Sequence, residues 1–271
     1  MVESAFINEI LKNAPIFLLI AVRALALIET APLLSSESIP QVAKISLAGF
    51  AAYASFPTAL TAGWNVGYYG LSFVFLAIGE ALIGVILGFY LTLIFSAFST
   101  AGQFFSLPMG FGASETFDPL SQVENPLMGQ YLNLVAMLVF LSMDGFRMLF
   151  LGGFWRSIQS MNILNLVAGR ETVIELLLGG LSRLFLDAII ISLPILGTLF
   201  LTSLTTGLIS KAAPQINILS EGFPISITIA FFLIYSTMPF MVEAFERAVN
   251  FGWRSIEILY TRIGFPIGGQ G

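Results

Sequence analysis

Few side chains in this sequence can carry out covalent or acid–base chemistry. Its 271 residues include no cysteine and no histidine, which removes thiolate nucleophiles, the commonest general base and almost every zinc or haem site. The Gly110-Phe-Gly112 segment lacks the third glycine and the strand-to-helix setting of a phosphate-binding loop, and the sequence has no Gly-Lys-Ser/Thr motif. The sequence therefore predicts a protein that is not an enzyme and that needs no metal or cofactor.

Ionisable side chains nevertheless interrupt nearly every apolar segment of the chain. They are Arg23, Glu29, Lys44, Glu80, Asp144, Arg147, Arg183 and Asp187. A charge at the centre of a bilayer costs at least ~2.5 kcal/mol on insertion scales. The i,i+3 spacing of Asp144 and Arg147 and the i,i+4 spacing of Arg183 and Asp187 allow each pair to neutralise itself on one helix face. These are either buried structural pairs between packed helices or parts of a proton or ion relay.

Glu80 differs from the other charges because it has no local partner in the sequence. We expect it to pair across helices with Lys44. A stand-alone ion or small-molecule transporter would use Glu80, Asp144 and Arg183 as coupling residues, although no internal repeat is detectable. An intramembrane hydrolase is a third interpretation, and it would need a carboxylate pair or a Ser-Lys arrangement that no spacing here suggests.

The elements that position these residues are predicted to be membrane helices. Hydrophobic residues make up 57% of the chain, charged residues make up 10%, and the mean hydropathy is +0.92, whereas about 25% of a soluble domain is charged. Six segments have the length of about 20 apolar residues that crosses a bilayer. They are Ala14–Leu34, Val42–Ala62, Leu71–Phe98, Gln130–Leu151, Ile174–Ile209 and Phe223–Val242. Pro194 with Gly197 can divide or kink the fifth segment.

The length of the chain indicates its number of domains, and its net charge indicates which partners to expect. A length of 271 residues suits one domain spanning residues 1–271. The net charge of -5 offers no basic field for phosphates, so nucleic acid is not an expected partner. Lipid or partner subunits must instead cover the apolar faces.

Two stretches depart from the apolar pattern. The connection at about residues 99–129 contains no Lys or Arg and is rich in Phe and Met, so we expect a loop that is buried yet mobile. The stretch at about residues 243–263 alternates apolar and polar positions at helical spacing, which predicts an amphipathic helix at the membrane interface or on a partner helix. The predicted fold class is all-α, a polytopic membrane protein with an amphipathic C-terminal helix.

Three groups of motifs carry a resemblance to a known family. They lie at Arg23–Pro40, at Leu107–Gly112 with Asp118-Pro119 and Asn125-Pro126, and at Ala213–Ile218 with Gly222–Pro224. Together they resemble the FliR/SctT family of type III secretion export-gate proteins, and the Gly-Phe-Pro form looks more flagellar than injectisome-like. The order and spacing of the motifs extend over nearly the whole chain. One departure is Ser220-Glu221, where the family usually has apolar residues.

This resemblance implies a pore-forming subunit of the flagellar export gate. It implies assembly with FliP-like and FliQ-like subunits, contacts with other flagellar export and basal-body proteins, and passage of unfolded flagellar subunits across the bacterial inner membrane within the basal body. It also implies bent helical hairpins packed against those subunits, with part of the assembly raised out of the bilayer. The energy for export would come from other subunits.

The resemblance places a plug for the resting pore in the central loop. The expected plug residues are Leu107, Met109, Gly110, Phe111, Gly112 and Phe117. Their chemistry agrees, because large apolar side chains can form a constriction that excludes water and glycine lets the backbone move aside. The alternative is that this loop only packs the chain onto a FliP-like subunit.

The turns of the first and third motifs are assigned to the fold and to subunit contacts. The residues concerned are Pro32, Pro40, Pro214, Gln215, Gly222, Phe223 and Pro224. We expect Pro32 to bend the first helix and Ser38 or a neighbour to cap the next one. We expect Pro214 and Pro224 to bracket a second turn between apolar segments.

Overall fold

The computed structural model describes residues 13–62, 64, 70–110, 127–212 and 218–263, and these residues form helices and no strands. The elements in chain order are α1 Ala14–Thr30, α2 Gln41–Thr61, α3 Leu71–Met109, α4 Leu127–Ser142, α5 Gly145–Arg147, the π-helix Met148–Trp155, α6 Arg156–Ser160, α7 Ile163–Ala168, α8 Arg170–Ala212 and α9 Ile218–Ile263. The predicted all-α fold class is confirmed.

Prolines determine the ends of the first two helices. Ala31 has an extended backbone, with φ -73° and ψ 136°, as expected for a residue that precedes proline. Pro32 therefore ends α1 and does not bend it, so that prediction is wrong. Pro40 is itself the residue before α2, and no side chain caps the helix there, so the predicted cap from Ser38 is also wrong.

The longer helices continue through positions where we expected breaks. α3 extends to Met109, well past the predicted end at Phe98, and stops where Gly110 takes φ +105°, a conformation that glycine reaches without a steric penalty. α8 runs through Pro194 for 43 residues. The predicted division there is wrong, and the alternative of a kink stays a prediction. Pro224 lies inside α9 and does not bracket a turn.

The chain separates into two compact units. Unit 1 comprises Met1–Thr92, Asp144–Gly180 and Asn250–Gly271, and unit 2 comprises Leu93–Met143 and Leu181–Val249. Each unit combines segments that are distant in sequence. The interpretation of residues 1–271 as one domain stays a prediction.

Unit 1 is built on a close contact between α1 and α3. A Cβ atom on Gly84 would overlap the carbonyl oxygen of Arg23, and one on Gly88 would overlap the side chain of Thr30. Small residues four apart allow two apolar helices to approach in this way. The Thr92 hydroxyl adds a hydrogen bond of 2.7 Å to the carbonyl oxygen of Thr30.

Unit 2 has an aromatic core. The ring of Phe245 lies edge-on to Phe95 and Phe98, with centroid distances of 5.2 and 4.8 Å, and Phe95 lies 5.3 Å from Phe140. Edge-to-face contacts of this length suit the charge distribution of aromatic rings. These rings bring α3, α4 and α9 together within the unit.

Three helices among the described residues are long and apolar enough to cross a membrane: Leu71–Met109, Arg170–Ala212 and Pro224–Ile263. The number is four if the interrupted pair Leu127–Ser142 and Gly145–Ser160 counts as one span. The prediction of six spans is therefore wrong. α1 has 17 residues, a length of about 26 Å at 1.5 Å per residue, which is short of a hydrocarbon core of roughly 30 Å.

The predicted amphipathic helix is the C-terminal part of α9. One face of this part is buried or half-buried and consists of Phe245, Val249, Trp253, Ile256, Tyr260 and Ile263. The opposite face is exposed and includes Glu243, Arg247, Arg254 and Glu257. The periodicity expected from the sequence is thus present in the structure.

Candidate functional site

A buried arginine is the centre of a polar cluster in unit 1. Arg23 of α1 has no exposed surface. Its Nε donates to Glu80 Oε2 at 2.6 Å, its Nη1 donates to Ser157 Oγ at 3.0 Å, and its Nη2 donates to the Met161 carbonyl oxygen at 2.9 Å. Nη2 also lies 2.5 Å from Glu80 Oε2. We call Arg23, Glu80, Ser157 and Met161 the arginine centre.

The Gly84 contact explains why this ion pair forms. Glu80 lies one helical turn before Gly84 on α3, and Gly84 meets the backbone of α1 at Arg23 itself. Close backbone approach at that point brings the carboxylate within reach of the guanidinium. Glu80 is only 3% exposed, so the two charges are compensated by each other rather than by water.

Trp64 completes the surroundings of Arg23. Its ring centroid lies 5.3 Å from the Arg23 guanidinium carbon, within cation–π range. Its Nε1 donates to the Ile158 carbonyl oxygen at 3.2 Å. Trp64 and Arg23 therefore satisfy carbonyl groups at and just beyond the end of α6, where a helix leaves carbonyls without partners. The cluster can hold these segments together, and its Ser157 hydroxyl donates to the Phe154 carbonyl oxygen at 2.6 Å.

A second ion pair joins α1 to α2. Lys44 is 3% exposed, and its Nζ lies 3.0 Å from Glu29 Oε2 and 3.3 Å from the Ser35 carbonyl oxygen. The predicted pair between Glu80 and Lys44 is therefore wrong, because each has a nearer partner on α1. The Ser35 contact also ties the turn before α2 to that helix.

The two local pairs predicted from spacing have different outcomes. Arg183 and Asp187 do form an ion pair of 3.0 Å on α8, with the Arg183 side chain 43% exposed. Asp144 and Arg147 are both exposed, and no ion pair joins them. Asp144 instead adopts a left-handed backbone with φ +56° at the break between α4 and α5, which directs its side chain away from the helical spacing assumed in the prediction.

The π-helix has its own contacts with α9. The Tyr260 hydroxyl donates to the Gly153 carbonyl oxygen at 2.7 Å, and the Trp253 ring lies against Gly152 and Gly153. Arg156 Nη1 is 2.6 Å from Glu257 Oε1. The sequence reasoning missed this contact, as it missed Ser157 and Trp64. The adjacent pair of glycines within an apolar helix was the available signal.

Three of the predicted plug residues lie at the end of α3. Leu107 is 72% exposed, Met109 is fully buried, and Gly110 follows it with positive φ. Phe111, Gly112 and Phe117 lie outside the described residues. Their assignment as a plug stays a prediction.

The subunit-contact residues predicted for the third motif are also described only in part. Pro214 and Gln215 lie outside the described residues, as does the side chain of Phe223. Gly222 is half-buried and Pro224 is exposed in the first turns of α9.

In the described part of the chain, no three acidic side chains lie close enough to hold a metal ion.

Comparison with known proteins connects these residues to one family. A family model described as bacterial export proteins, family 1, matches residues 14–251. The chain is 31% identical to the flagellar biosynthetic protein FliR of Escherichia coli K12 over 225 residues, which cover 83% of this chain and 85% of that protein. It is 29% identical to FliR of Bacillus subtilis 168 over 260 residues, which cover 95% and 99%.

The chain is also similar to a protein whose name does not refer to the flagellum. The chain is 32% identical over 162 residues to the surface presentation of antigens protein SpaR of Shigella flexneri. The match covers 59% of this chain and 61% of that protein. The two flagellar matches described above are longer.

Proposed function

Because this chain belongs to the bacterial export proteins of family 1, we propose that it is a pore-forming subunit of the flagellar type III protein export gate in the bacterial inner membrane. Membership makes it a component of an export apparatus, and its apolar helices give it a membrane location. In the proposed role it assembles with FliP-like and FliQ-like subunits within the basal body. The complex passes unfolded flagellar subunits across the membrane.

The family match over residues 14–251 is the observation that carries this proposal. It includes every element that forms the arginine centre and most of the apolar surface. Two relatives that match over 83% and 95% of this chain are flagellar biosynthetic proteins. These matches favour the flagellar apparatus over an injectisome.

The apolar surface of the chain supports a role within a larger assembly. Only 33% of the most apolar stretch of α8 and 22% of that of α9 is buried within the chain. Side chains such as Leu208 and Phe232 are more than two-thirds exposed, at 69% and 68%. Lipid or partner subunits must cover such surfaces. Assembly with other membrane subunits accounts for this amount of exposed apolar area.

The proposed seal of the resting pore is the segment that starts at the end of α3. Leu107 is exposed where α3 ends, and Gly110 lets the backbone change direction just beyond Met109. An exposed apolar side chain beside a glycine hinge suits a constriction that closes by excluding water and opens by backbone movement. Met109 is buried within the chain, so it would support the constriction from behind.

The stand-alone transporter is less well supported. Its chief coupling residue, Glu80, is bound by Arg23 in the buried interior. A carboxylate held by a fixed cation is a poor carrier of protons or cations, because release of the ligand would need the guanidinium to move. No observation favours this function over protein export.

Deletion of the gene tests the export function. We expect the host bacterium to lose filaments and to stop secreting flagellin while it still synthesises flagellin in the cytoplasm. A plasmid copy of the chain should restore secretion. Normal secretion in the deletion strain would contradict the proposal.

Replacement of residues 110–117 by a short Gly/Ser linker tests the seal. We expect resting cells to leak ions while some export continues, because the constriction is gone and the pore remains. Assembly is measured in the same membranes, so that a leak from misassembled complexes is recognised. Unchanged conductance with intact assembly would contradict the seal.

A further inference from the structure

The π-helix Met148–Trp155 is an unusual segment of unit 1. In a π-helix each N–H bonds the carbonyl five residues back instead of four, so the segment holds more residues per turn than an α-helix. Such segments are rare and frequently occur at functional sites. Glycine has a low helix propensity, so Gly152 and Gly153 do not stabilise the helix by themselves. Contacts from outside the segment must therefore keep it in this register.

Residues of α9 supply the first of these contacts. The Gly153 carbonyl oxygen accepts from the Tyr260 hydroxyl at 2.7 Å and also from the Arg156 N–H. The Trp253 ring covers the same glycine, since a Cβ atom on Gly153 would lie 3.4 Å from it. Tyr260 is only 6% exposed. The hydrogen bond is thus formed in a place where water cannot replace it.

The arginine centre supplies the second contact, just beyond the π-helix. Arg23 binds Ser157 and the carbonyl oxygen of Met161. These bonds require α6 to present Ser157 towards α1. In the structure Ser157 and Ile158 are buried while Arg156 and Gln159 are exposed.

A change of hydrogen-bond register would move these residues as a group. If residues 148–155 became α-helical, the residues after them would turn by about 100°, the rotation of one residue in an α-helix. Ile158 would then take the exposed position of Gln159, and Ser157 would leave Arg23. No intermediate rotation restores a full set of backbone hydrogen bonds, so the two registers are discrete states.

Trp253, whose ring lies against the π-helix, has one unsatisfied polar group. Its indole Nε1 is buried and has no hydrogen-bond partner among the residues that the structure describes. A buried donor without a partner opposes the state in which it occurs. The packing of Trp253 on the π-helix therefore carries a local cost, whereas the bonds of Tyr260 and Arg23 stabilise the observed arrangement.

We propose that the π-helix is a two-state register switch, which Tyr260 and the arginine centre hold in the π state. Release of the Tyr260 contact lets residues 148–155 become α-helical and turns α6 by one residue. Such a switch gives unit 1 a discrete movement without unfolding any helix. It does not depend on which substrate the protein exports.

Single cysteines provide the test, because the natural chain contains none. The reporter is Ile158→Cys, at a position that is 1% exposed in the π state. The matched control is Leu149→Cys, at a position that is also 1% exposed but lies at the start of the π-helix and does not turn. The probe is N-ethylmaleimide, applied to membranes that contain the full chain in its complex. Each reporter is measured with Tyr260 intact and with Tyr260→Phe.

We expect Tyr260→Phe to raise the labelling rate of the Ile158→Cys reporter about fivefold, the factor that corresponds to one ordinary hydrogen bond, and to leave the Leu149→Cys rate unchanged. An equal rise at both positions would overturn the proposal, because it would mean general loosening. An unchanged rate at both positions would also overturn it, because the hydroxyl would then not hold the register.

Deletion of Gly152 keeps the proposal testable if the Tyr260→Phe chain does not accumulate. Removing one residue from the π-helix lets the segment become α-helical while α6 keeps its present direction. The Ile158→Cys reporter should then label slowly, with Tyr260 or with Phe at position 260. Fast labelling of the deletion variant would overturn the proposal.

Discussion

The energetics of the arginine centre can be tested by replacing its two charged members singly and together. The variants are Arg23→Met, Glu80→Met and the double variant. Arg23 is fully buried and Glu80 is 3% exposed. Each single replacement leaves the other charge buried without compensation, which destabilises a protein by about 3–5 kcal/mol.

The double variant removes both charges and leaves one identified group without its partner. The Ser157 hydroxyl keeps its bond of 2.6 Å to the Phe154 carbonyl oxygen. The Met161 carbonyl oxygen loses the Arg23 donor, and an unsatisfied buried carbonyl costs about 1–3 kcal/mol. We therefore expect the double variant to be more stable than either single variant by about 1–3 kcal/mol. If the effects of the two single replacements were additive, the double variant would instead be the least stable of the three.

Unfolding of the purified chain by SDS in mild detergent measures these differences. Tryptophan fluorescence is a suitable signal because Trp64 lies over Arg23. The double-mutant cycle gives the coupling free energy directly. If the double variant is destabilised by the sum of the two single effects, the charges do not compensate each other and the account of the arginine centre is refuted.

Three further predictions concern other contacts of the described residues. Gly88→Val should destabilise the chain by about 1–3 kcal/mol in the same unfolding assay, because its side chain would overlap Thr30, and a small effect would refute the close packing. Glu29→Gln should cost at least ~1 kcal/mol more than Lys44→Met, because it leaves a lysine that is 3% exposed without a counter-charge; equal effects would contradict this. Pro224→Ala should reduce the amount of assembled complex on native gels before it reduces export by the complexes that form, and normal assembly with lost export would count against the contact role.

The apolar pattern of the sequence was enough to predict helices, membrane character and the amphipathic end of α9. The lengths of the individual helices were less predictable. The end of α1 follows from the effect of Pro32 on Ala31. α8 instead continues through Pro194, where it gives up one backbone hydrogen bond.

The partner of Glu80 depended on information that hydropathy does not carry. An apolar helix fits many neighbours, and the pattern alone does not give its lateral position. Gly84 and Gly88 did carry that information, because small residues four apart indicate a close helix contact. Glu80 lies on the same face one turn earlier, so the motif indicated that its partner lies on the helix packed there.

The π-helix could not have been predicted from its own residues. Tyr260 contacts it and Arg23 contacts Ser157 just beyond it, and both residues are distant in sequence and come close only in the folded unit. Local preference gives no reason for five-residue hydrogen bonding. Contacts of this kind become visible only when side chains have positions in space.

The central claim is that this chain works as one subunit of an export complex. The most direct measurement is an affinity pull-down of the tagged chain from membranes in mild detergent, followed by mass spectrometry of the bound proteins and sizing of the particle. We predict stoichiometric recovery of FliP-like and FliQ-like proteins in one large particle. Recovery of a well-behaved monomer or a small homo-oligomer would contradict the claim.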